Sequence, residues 1–329
     1  MATYDYSFSQ FSDKLDDTGV FSTGERDAIL QALTNGGVFS AGSTAGNLAR
    51  TETLPADSTT GAGEEVAFFE GGPSGPVNID PTDRATIFAT NDDVTANIST
   101  SGSGVVVTGD GNDVVSSTGS SSDALLVGDG DNVVNAGSGN DTVIAGGGND
   151  TVYGGNGNDL LDIGSGDNFV DAGNGNDTIL AGGGDDSISA GSGNDVIQAG
   201  NGDNTIDAGT GADSVVAGGG NDSIDGGSGN DTIFGGGGND TIIAGTGDDL
   251  VYVGAGESSV TGGSGNDTFF FDGEGNSTVV GGTGFDTLNV TGYASTDVVS
   301  NAGGVIEFSN GDTLTYSEIE KIIFSDQTP

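Results

Sequence analysis

A repeat of nine residues governs the central part of the chain. Residues 127–270 divide without insertion or deletion into 16 nonapeptides, such as GGSGNDTIF at 226–234 and GGGGNDTII at 235–243. Glycine occupies the second and fourth positions of every nonapeptide, and the eighth position is always apolar. Flexible linkers are also rich in glycine, but a linker has no reason to keep its glycines in phase with apolar side chains. The phase therefore predicts a repetitive fold rather than disorder.

Each nonapeptide predicts a glycine-rich turn followed by a strand of three residues whose central side chain points inward. Two nonapeptides then form one coil, and like strands stack in parallel from coil to coil. Parallel crossovers are almost always right-handed, so we expect a right-handed coil. The predicted fold class is therefore all-β: a right-handed parallel β-roll, or β-solenoid, of nonapeptide repeats.

Position six of the nonapeptide is the candidate ligand position, because it is aspartate in 12 of the 16 units. It recurs on the same side of every coil, which predicts two ladders with steps of about 5 Å. The even-numbered nonapeptides give an unbroken ladder of Asp141, Asp159, Asp177, Asp195, Asp213, Asp231, Asp249 and Asp267. The odd-numbered nonapeptides give a mixed ladder of Asn132, Asp150, Asn168, Asp186, Asn204, Asp222, Asp240 and Ser258.

Charge makes such ladders unstable on their own. The chain has 50 acidic residues against five basic ones, a formal net charge of -45, and no basic residue between Arg84 and Lys321. Stacked carboxylates repel by roughly 1 kcal/mol per pair even at the dielectric of water. One buried Val or Ile contributes only about 1.5–3 kcal/mol, which is less than the entropy lost on ordering nine residues. Something else must hold the coils together.

A divalent cation is the predicted solution. Calcium takes about six to eight oxygen ligands in flexible geometry, and an aspartate with carbonyls freed by glycine supplies such oxygens. Magnesium requires a tighter octahedron, and zinc prefers the cysteine and histidine ligands that this chain lacks. The sequence thus predicts several bound Ca²⁺ ions along the two ladders.

Three turns of the mixed ladder reverse the usual order Asn-Asp. There Asp131, Asp167 and Asp203 stand at position five, each followed by asparagine. We expect weaker or differently ligated metal sites along that edge, with these aspartates as candidate ligands; neutral drift in a repetitive sequence is the alternative. Outside the regular repeats, Asp113 and Asp286 are further candidate ligands.

The pattern GGxGxDxUx, with U a large apolar residue, resembles the signature of RTX, or haemolysin-type calcium-binding, repeat proteins over residues 127–270. The resemblance implies secretion by the type I machinery through an uncleaved C-terminal signal, disorder at low cytosolic calcium, and folding outside the cell. It also implies that the position-six aspartates bind Ca²⁺ with carbonyls of the neighbouring glycines, so the site at Ser258 is in doubt. Residues 312–326 are similar to the acidic and aliphatic tail of many RTX proteins.

The N-terminal flank predicts two segments. Residues 1–65 are expected to be a small helical cap followed by a polar linker, with apolar residues at helical spacing from Tyr4 to Leu15 and from Ile29 to Leu33. Residues 66–126 are expected to be an irregular start of the solenoid. Its predicted strands are 66–70, 77–79, 86–88, 96–98, 105–107, 113–115 and 124–126.

The C-terminal flank, residues 271–329, predicts the end of the solenoid and a C-terminal cap or secretion-signal region. VIEFSNGDTLTY (305–316) predicts a β-hairpin cap with a tight turn at Asn310–Gly311. A cap at each end would shield edge strands from pairing with another chain.

Composition excludes several classes of function. Without histidine or cysteine, a Ser-His triad, a Cys-His dyad and an HExxH zinc site are impossible. The negative charge argues against nucleic acid as a partner, and no apolar run approaches the roughly 20 residues that span a bilayer. Residues 1–20 lack the basic start and apolar core of a cleaved signal peptide. We therefore expect a non-enzyme at the cell surface or outside the cell, without membrane insertion.

Three functions fit these properties. The leading hypothesis is a structural protein that folds on binding Ca²⁺ and self-associates into a surface layer, matrix or filament. The alternative is a calcium-dependent adhesin that binds cell-surface glycans or ice, although only Thr210 and Thr246 are threonines at position three, which argues against an ice-binding threonine ladder. The third, a polysaccharide lyase or glycosidase, is disfavoured because lyases of this shape generally use a basic residue on the solenoid.

Overall fold

The structure, a computed structural model, describes residues 75–79, 85–98, 104–272, 275–290 and 292–326, together with Ile29 and the backbone of strands β1 to β4. From the N-terminus, the strands are β1 Ala2–Tyr4, β2 Leu48–Thr51, β3 Ser58–Thr59, β4 Val66–Glu70, β5 Val77–Ile79, β6 Ala85–Ala89, β7 Thr95–Ile98, β8 Val105–Val107, β9 Val114–Ser117, β10 Ala124–Leu126, β11 Val133–Ser138, β12 Thr142–Ile144, β13 Thr151–Asn156, β14 Leu160–Asp162 and β15 Phe169–Asn174. They continue with β16 Thr178–Leu180, β17 Ser187–Ser189, β18 Val196–Asn201, β19 Thr205–Asp207, β20 Ser214–Gly219, β21 Ser223–Asp225, β22 Thr232–Gly237, β23 Thr241–Thr246, β24 Leu250–Tyr252, β25 Ser259–Ser264, β26 Thr268–Phe271, β27 Ser277–Thr283, β28 Thr287–Val290, β29 Val298–Ala302, β30 Val305–Phe308, β31 Thr313–Ser317 and β32 Lys321–Phe324. Ile29 lies in a helix, and Ser295–Asp297 form a 3₁₀ turn.

The first of two compact units, Met1–Ala172, contains two parallel sheets. One sheet has the order β2-β4-β6-β8-β10-β12-β14, with β1 antiparallel at its edge. The other has the order β3-β5-β7-β9-β11-β13. From β2 onwards, consecutive strands along the chain alternate between the two sheets. In the repeats each strand pairs with the strand one coil later, so that Val143, for example, pairs with Leu161, 18 residues further along the chain.

The second unit, Gly173–Pro329, is built in the same way. One parallel sheet has the order β16-β18-β20-β22-β24-β26-β28-β32. The other has the order β17-β19-β21-β23-β25-β27-β31, and β30 and β29 extend it in antiparallel pairing. The predicted fold class, an all-β parallel β-solenoid of nonapeptide repeats, is confirmed.

The core of the repeats is one layer of small and branched side chains. Every position-eight side chain is buried, with at most 3 % exposed, as the sequence predicts. Position one is buried as well: Ala136, Ala145, Ile163 and Ala199 are examples at 0 % exposed. Where position one is not glycine, each nonapeptide therefore buries two apolar side chains rather than the one predicted. Alanine and glycine predominate at position one, and a single methyl group adds little to the hydrophobic signal of a sequence.

The glycines at positions two and four permit the turns. All 32 of them have positive φ, a region that L-residues with a Cβ rarely adopt. Gly211, for example, has φ +140, and a Cβ there would overlap the carbonyl oxygen of Gly193 in the preceding coil. Gly237, at position three, has no atom within 4 Å of the place of a Cβ. The strict phase of the glycines therefore reflects both backbone conformation and close stacking.

The flanks agree in part with the sequence. The strands predicted between residues 66 and 126 are confirmed as β4 to β10, and the predicted hairpin is confirmed as β30 and β31, with Asn310 and Gly311 between them. The prediction of a helix at Tyr4 and of a linker without strands is wrong at β1, β2 and β3, which pair at the edges of the sheets. Apart from Ile29, which is helical and buried, the rest of the predicted helical cap lies outside the described residues.

Candidate metal sites in the turns

The residues at position six lie inside the turns and stack into ladders. The sequence predicts this, and each is at most 3 % exposed. One oxygen of each side chain accepts the backbone N–H of the ladder residue one coil earlier. Asp195 N–H donates to Asp213 Oδ1 at 2.7 Å, and Asp222 N–H donates to Asp240 Oδ1 at 3.0 Å. These hydrogen bonds fix each carboxylate and leave its second oxygen, Oδ2, facing the inside of the turn.

Each unit contains part of both predicted ladders. In Met1–Ala172 the unbroken ladder contains Asp141 and Asp159, and the mixed ladder contains Asp113, Asn132, Asp150 and Asn168. In Gly173–Pro329 the unbroken ladder contains Asp177, Asp195, Asp213, Asp231, Asp249, Asp267 and Asp286. The mixed ladder of that unit contains Asp186, Asn204, Asp222, Asp240, Ser258 and Ser277.

The second carboxylate oxygen of many ladder aspartates lacks a hydrogen-bond donor from the protein. No protein donor reaches the buried Oδ2 atom of Asp113, Asp141, Asp150, Asp195, Asp213, Asp222, Asp231, Asp240, Asp249, Asp267 or Asp286. A buried acceptor without a donor costs about 1–3 kcal/mol, and more when it carries charge. Such a cost repeated at each coil calls for a partner of positive charge.

The asparagines of the mixed ladder show which other oxygens face the same space. Asn132 Nδ2 donates to the carbonyl oxygens of Gly130 at 2.9 Å, Gly128 at 3.2 Å and Ala145 at 3.4 Å. Asn168 and Asn204 donate in the same way to the glycine carbonyl two residues before them, at 3.0 and 3.1 Å. Carbonyls from two stacked turns therefore converge on the atom at the tip of position six. In an aspartate turn that atom is an oxygen, so the site is a cage of oxygens.

The electrostatics agree with this geometry. Burial raises the pKa of Asp141 to about 7; a hydrogen bond from the Asp123 backbone opposes the shift, and repulsion from Asp159 and Asp123 adds to it. Burial likewise raises the pKa of Asp150 to about 7. It raises the pKa to about 6 at Asp113, Asp213, Asp231, Asp240 and Asp267. Without a cation, these carboxyls hold their protons more tightly than exposed aspartates do.

Calcium fits this donor set. Each aspartate turn offers one carboxylate oxygen and carbonyl oxygens from two coils, all hard ligands in a site that a flexible coordination shell suits. Within the described residues, no three Asp or Glu side chains form a cluster that could hold a metal. This is consistent with the arrangement, because each turn contributes a single buried carboxylate and main-chain oxygens supply the rest.

The turns without aspartate at position six are already satisfied by the protein. At Asn132, Asn168 and Asn204 the amide nitrogen lies where an ion would bind and donates to the carbonyls. At Ser258 the hydroxyl donates to Gly238 O at 3.4 Å and accepts Asp240 N–H at 3.1 Å. These side chains supply the donor that the aspartate turns lack.

The three position-five aspartates lie apart from the buried ladders. Asp131, Asp167 and Asp203 are exposed. Asp131 Oδ1 accepts Asn149 N–H at 2.9 Å, and Asp203 Oδ1 accepts Asn221 N–H at 2.6 Å, each one coil later. They belong to an outer ladder of Asn and Asp side chains that the sequence did not predict. Their role as metal ligands stays a prediction.

Asp123 is a ladder residue that the sequence analysis missed. Its Oδ1 accepts Gly104 N–H at 2.8 Å, and the Ser117 hydroxyl donates to its Oδ2 at 2.7 Å. Its own N–H donates to Asp141 Oδ1, so it belongs to the ladder. Both of its oxygens therefore have protein donors, and a serine hydroxyl stands where the neighbouring turns need a cation. An aspartate directly before the strand triplet 124–126 was the available signal.

Comparisons with known proteins place these turns in a family. The model of the RTX calcium-binding nonapeptide repeat matches the chain at residues 126–161, 162–197, 180–215, 189–224, 198–233, 207–242, 225–260, 243–274 and 271–304. No curated protein matches the chain. Among the described residues, no helix is long and apolar enough to cross a membrane. Since the matches span 126–304, more than half of the chain, the protein belongs to the RTX calcium-binding nonapeptide repeat family.

Proposed function

We propose that the protein is an extracellular structural protein that folds on binding several Ca²⁺ ions and then self-associates into a surface layer, matrix or filament. The observation that carries the proposal is the row of buried Oδ2 atoms without a protein donor, at the position where the Asn132 amide meets converging carbonyls. A chain that needs an ion in most of its turns folds only where calcium is abundant, which favours a site of action outside the cell.

The metal sites follow from the ladders. We propose one ion at each turn with a buried, incompletely bonded aspartate, and none at the asparagine and serine turns. Asp123 is excluded as a ligand because its Oδ2 already has a donor in Ser117. Release outside the cell by the type I machinery remains part of the proposal. We expect no catalytic activity, since the chain lacks histidine and cysteine.

An apolar stripe supports self-association. Val216, Phe234, Tyr252 and Phe270 follow one another in register on the outer face of β20, β22, β24 and β26. The rings of Phe234 and Tyr252 stack at 4.3 Å, and those of Tyr252 and Phe270 stack at 4.7 Å. Apolar stripes on the surface of an acidic protein commonly mark contacts with other molecules. Calcium bound in the turns would also reduce the repulsion between copies.

Sedimentation velocity and electron microscopy test this function. In chelator we expect an expanded monomer, and in millimolar calcium we expect large ordered assemblies that magnesium does not induce. A calcium-loaded protein that stays a monodisperse monomer at every concentration would contradict assembly and favour a binding module.

A binding module is the second candidate because of a surface on the opposite sheet of the second unit. Two rows of exposed or half-exposed hydroxyl side chains run along its outer face, each alternating serine with threonine. One row contains Ser187, Thr205, Ser223, Thr241, Ser259 and Thr278, and the other contains Ser192, Thr210, Ser228, Thr246, Ser264 and Thr283.

The sequence argument against a hydroxyl ladder counted position three on both faces together, whereas every second nonapeptide faces this sheet. Regular hydroxyls match polysaccharide hydroxyl groups or ordered water. A glycan array tests binding to polysaccharides, and a thermal hysteresis assay tests binding to ice. A negative result in both assays would contradict the binding module.

A further inference from the structure

The last turn of Gly173–Pro329 is closed by residues 312–326, which we call the C-terminal segment, rather than by another nonapeptide. Strand β32 pairs in parallel with β28, so that Lys321 lies opposite Thr287. Glu320 therefore lies at the ladder step that follows Asp286. Tyr316 pairs with Val279 and Ile322 pairs with Leu288, so this last step takes six residues where a nonapeptide takes nine. Residues 312–326 lie outside the matches to the repeat family.

Glu320 ends the ladder in the place of an aspartate. Its Oε2 accepts Asp286 N–H at 2.7 Å, just as Asp286 Oδ1 accepts Asp267 N–H at 2.8 Å. The backbone continues the same pattern, because Lys321 N–H donates to Asp286 O at 3.0 Å and Thr287 N–H donates to Asp267 O at 2.8 Å. A glutamate with one more methylene thus takes over the hydrogen bond that holds each carboxylate of the repeats.

Glu318 supplies the matching carbonyl. In the repeats, a Cβ placed on Gly235 would lie 2.9 Å from Asp240 Oδ2 and 2.7 Å from the Val253 carbonyl oxygen, so both oxygens face one small space. The equivalent space beside Gly281 is faced by Asp286 Oδ2, at 2.6 Å, and by the Glu318 carbonyl oxygen. Among the described non-glycine residues, only Glu318 has positive φ, at 55°. Strained backbone of this kind is concentrated at functional sites.

Asp286 is the unsatisfied group at this position. Its side chain is 0 % exposed, and no protein donor reaches Oδ2. We propose that a Ca²⁺ ion binds between Asp286 Oδ2, the Glu318 carbonyl oxygen and the Glu320 carboxylate, and that this ion fastens the C-terminal segment to the roll. The inference rests on the proposed calcium-dependent folding and extends it to ligands outside the nonapeptides. Calcium then controls when the C-terminal segment docks.

Hydrogen exchange of the full chain over a series of calcium concentrations tests the terminal site. The variant Glu320→Gln keeps an oxygen to accept Asp286 N–H but removes the charge. We expect the calcium midpoint for protection of amides 321–324 to rise about tenfold, while the midpoint for amides 205–207 stays unchanged; a tenfold change in binding corresponds to about 1.4 kcal/mol. Native mass spectrometry should count one ion fewer. Glu307→Gln, an exposed change of equal charge on β30, should alter neither.

The outcomes separate this site from the wider proposal. If the repeats gain protection with calcium but Glu320→Gln behaves as the unmodified chain does, the terminal site is refuted and the proposed function stands. If no amide responds to calcium, the proposed function fails. Glu320→Asp keeps the charge but is one methylene shorter, and so tests packing: a shift in Glu320→Asp without a shift in Glu320→Gln would show that side-chain length, not a bound ion, holds the segment, and would overturn the inference.

Discussion

Replacing Asp222 with asparagine changes one turn from the proposed ion-dependent kind to the ion-free kind. Asp222 lies on the mixed ladder, directly after Asn204, whose Nδ2 donates to Gly202 O at 3.1 Å. An asparagine at residue 222 places the same amide beside the carbonyl of Gly220. The substitution thus removes a buried carboxylate oxygen that lacks a donor and adds a hydrogen bond already seen at three equivalent turns.

The expected change in the free energy of unfolding has opposite signs with and without calcium. Without calcium, removing the unsatisfied buried oxygen should stabilise the folded chain by about 1–3 kcal/mol. With calcium at about 1,000 times the dissociation constant of the site, losing one ion should cost about 4.1 kcal/mol, which exceeds that gain and leaves the variant destabilised by about 1–3 kcal/mol. Few substitutions that act through packing alone would reverse sign with calcium.

Two measurements check both signs. Native mass spectrometry in calcium should count one ion fewer for Asp222→Asn. In chelator, the variant should fold at a lower concentration of trimethylamine oxide, an osmolyte that favours burial. Asp207→Asn is the matched control, because Asp207 is exposed on β19 and its loss removes the same charge. A variant that binds as many ions as the unmodified chain, or that needs more osmolyte to fold in chelator, would refute the assignment of the turns.

Three further predictions concern protons, glycines and the core. Burial raises the pKa of Asp141 and Asp150 from 3.8 to about 7. The contribution of these groups to the stability of the calcium-free fold is therefore greatest below pH 3.8 and is lost as the pH rises towards 7. Circular dichroism in calcium-free buffer should show more β-structure at about pH 5 than at about pH 8, and an unchanged signal would contradict the shift. Gly211→Ala should destabilise the calcium-loaded protein by at least about 1–2 kcal/mol, whereas Gly237→Ala should be nearly neutral in urea unfolding. Ile233→Ala should lower the free energy of unfolding by about 2–5 kcal/mol, since Ile233 is 0 % exposed, and a loss below 1 kcal/mol would speak against a tightly packed core.

The fold of the repeats was predictable because one period fixes the turn, the strand and the stacking partner together. Once position eight is apolar and the glycines are in phase, the register of 18 residues follows. Strands β1, β2 and β3 were not predictable in this way, because their short sequences carry no repeat and pairing at a sheet edge decides their structure. Position one was overlooked because alanine and glycine give a weak hydrophobic signal.

The candidate ligands were predictable as residues, but their environment was not. The sequence suggests that Asn132, Asn168 and Asn204 differ from the aspartates; only the structure shows an amide nitrogen among the carbonyls. Asp123 and Glu320 were missed because both lie outside the regular nonapeptides, and three-dimensional register places them on the ladder. The two hydroxyl rows likewise emerge only when alternate nonapeptides are assigned to separate faces.

Bridging cations in the buried turns are tested most directly by anomalous X-ray scattering from crystals of the calcium-loaded protein. Anomalous peaks should lie beside Oδ2 of the buried aspartates, such as Asp213 and Asp231, and should be absent beside Asn132 and Asn204. An ordered roll without peaks in the aspartate turns, or with peaks only at exposed carboxylates such as Asp207, would contradict the proposal that calcium holds the coils together.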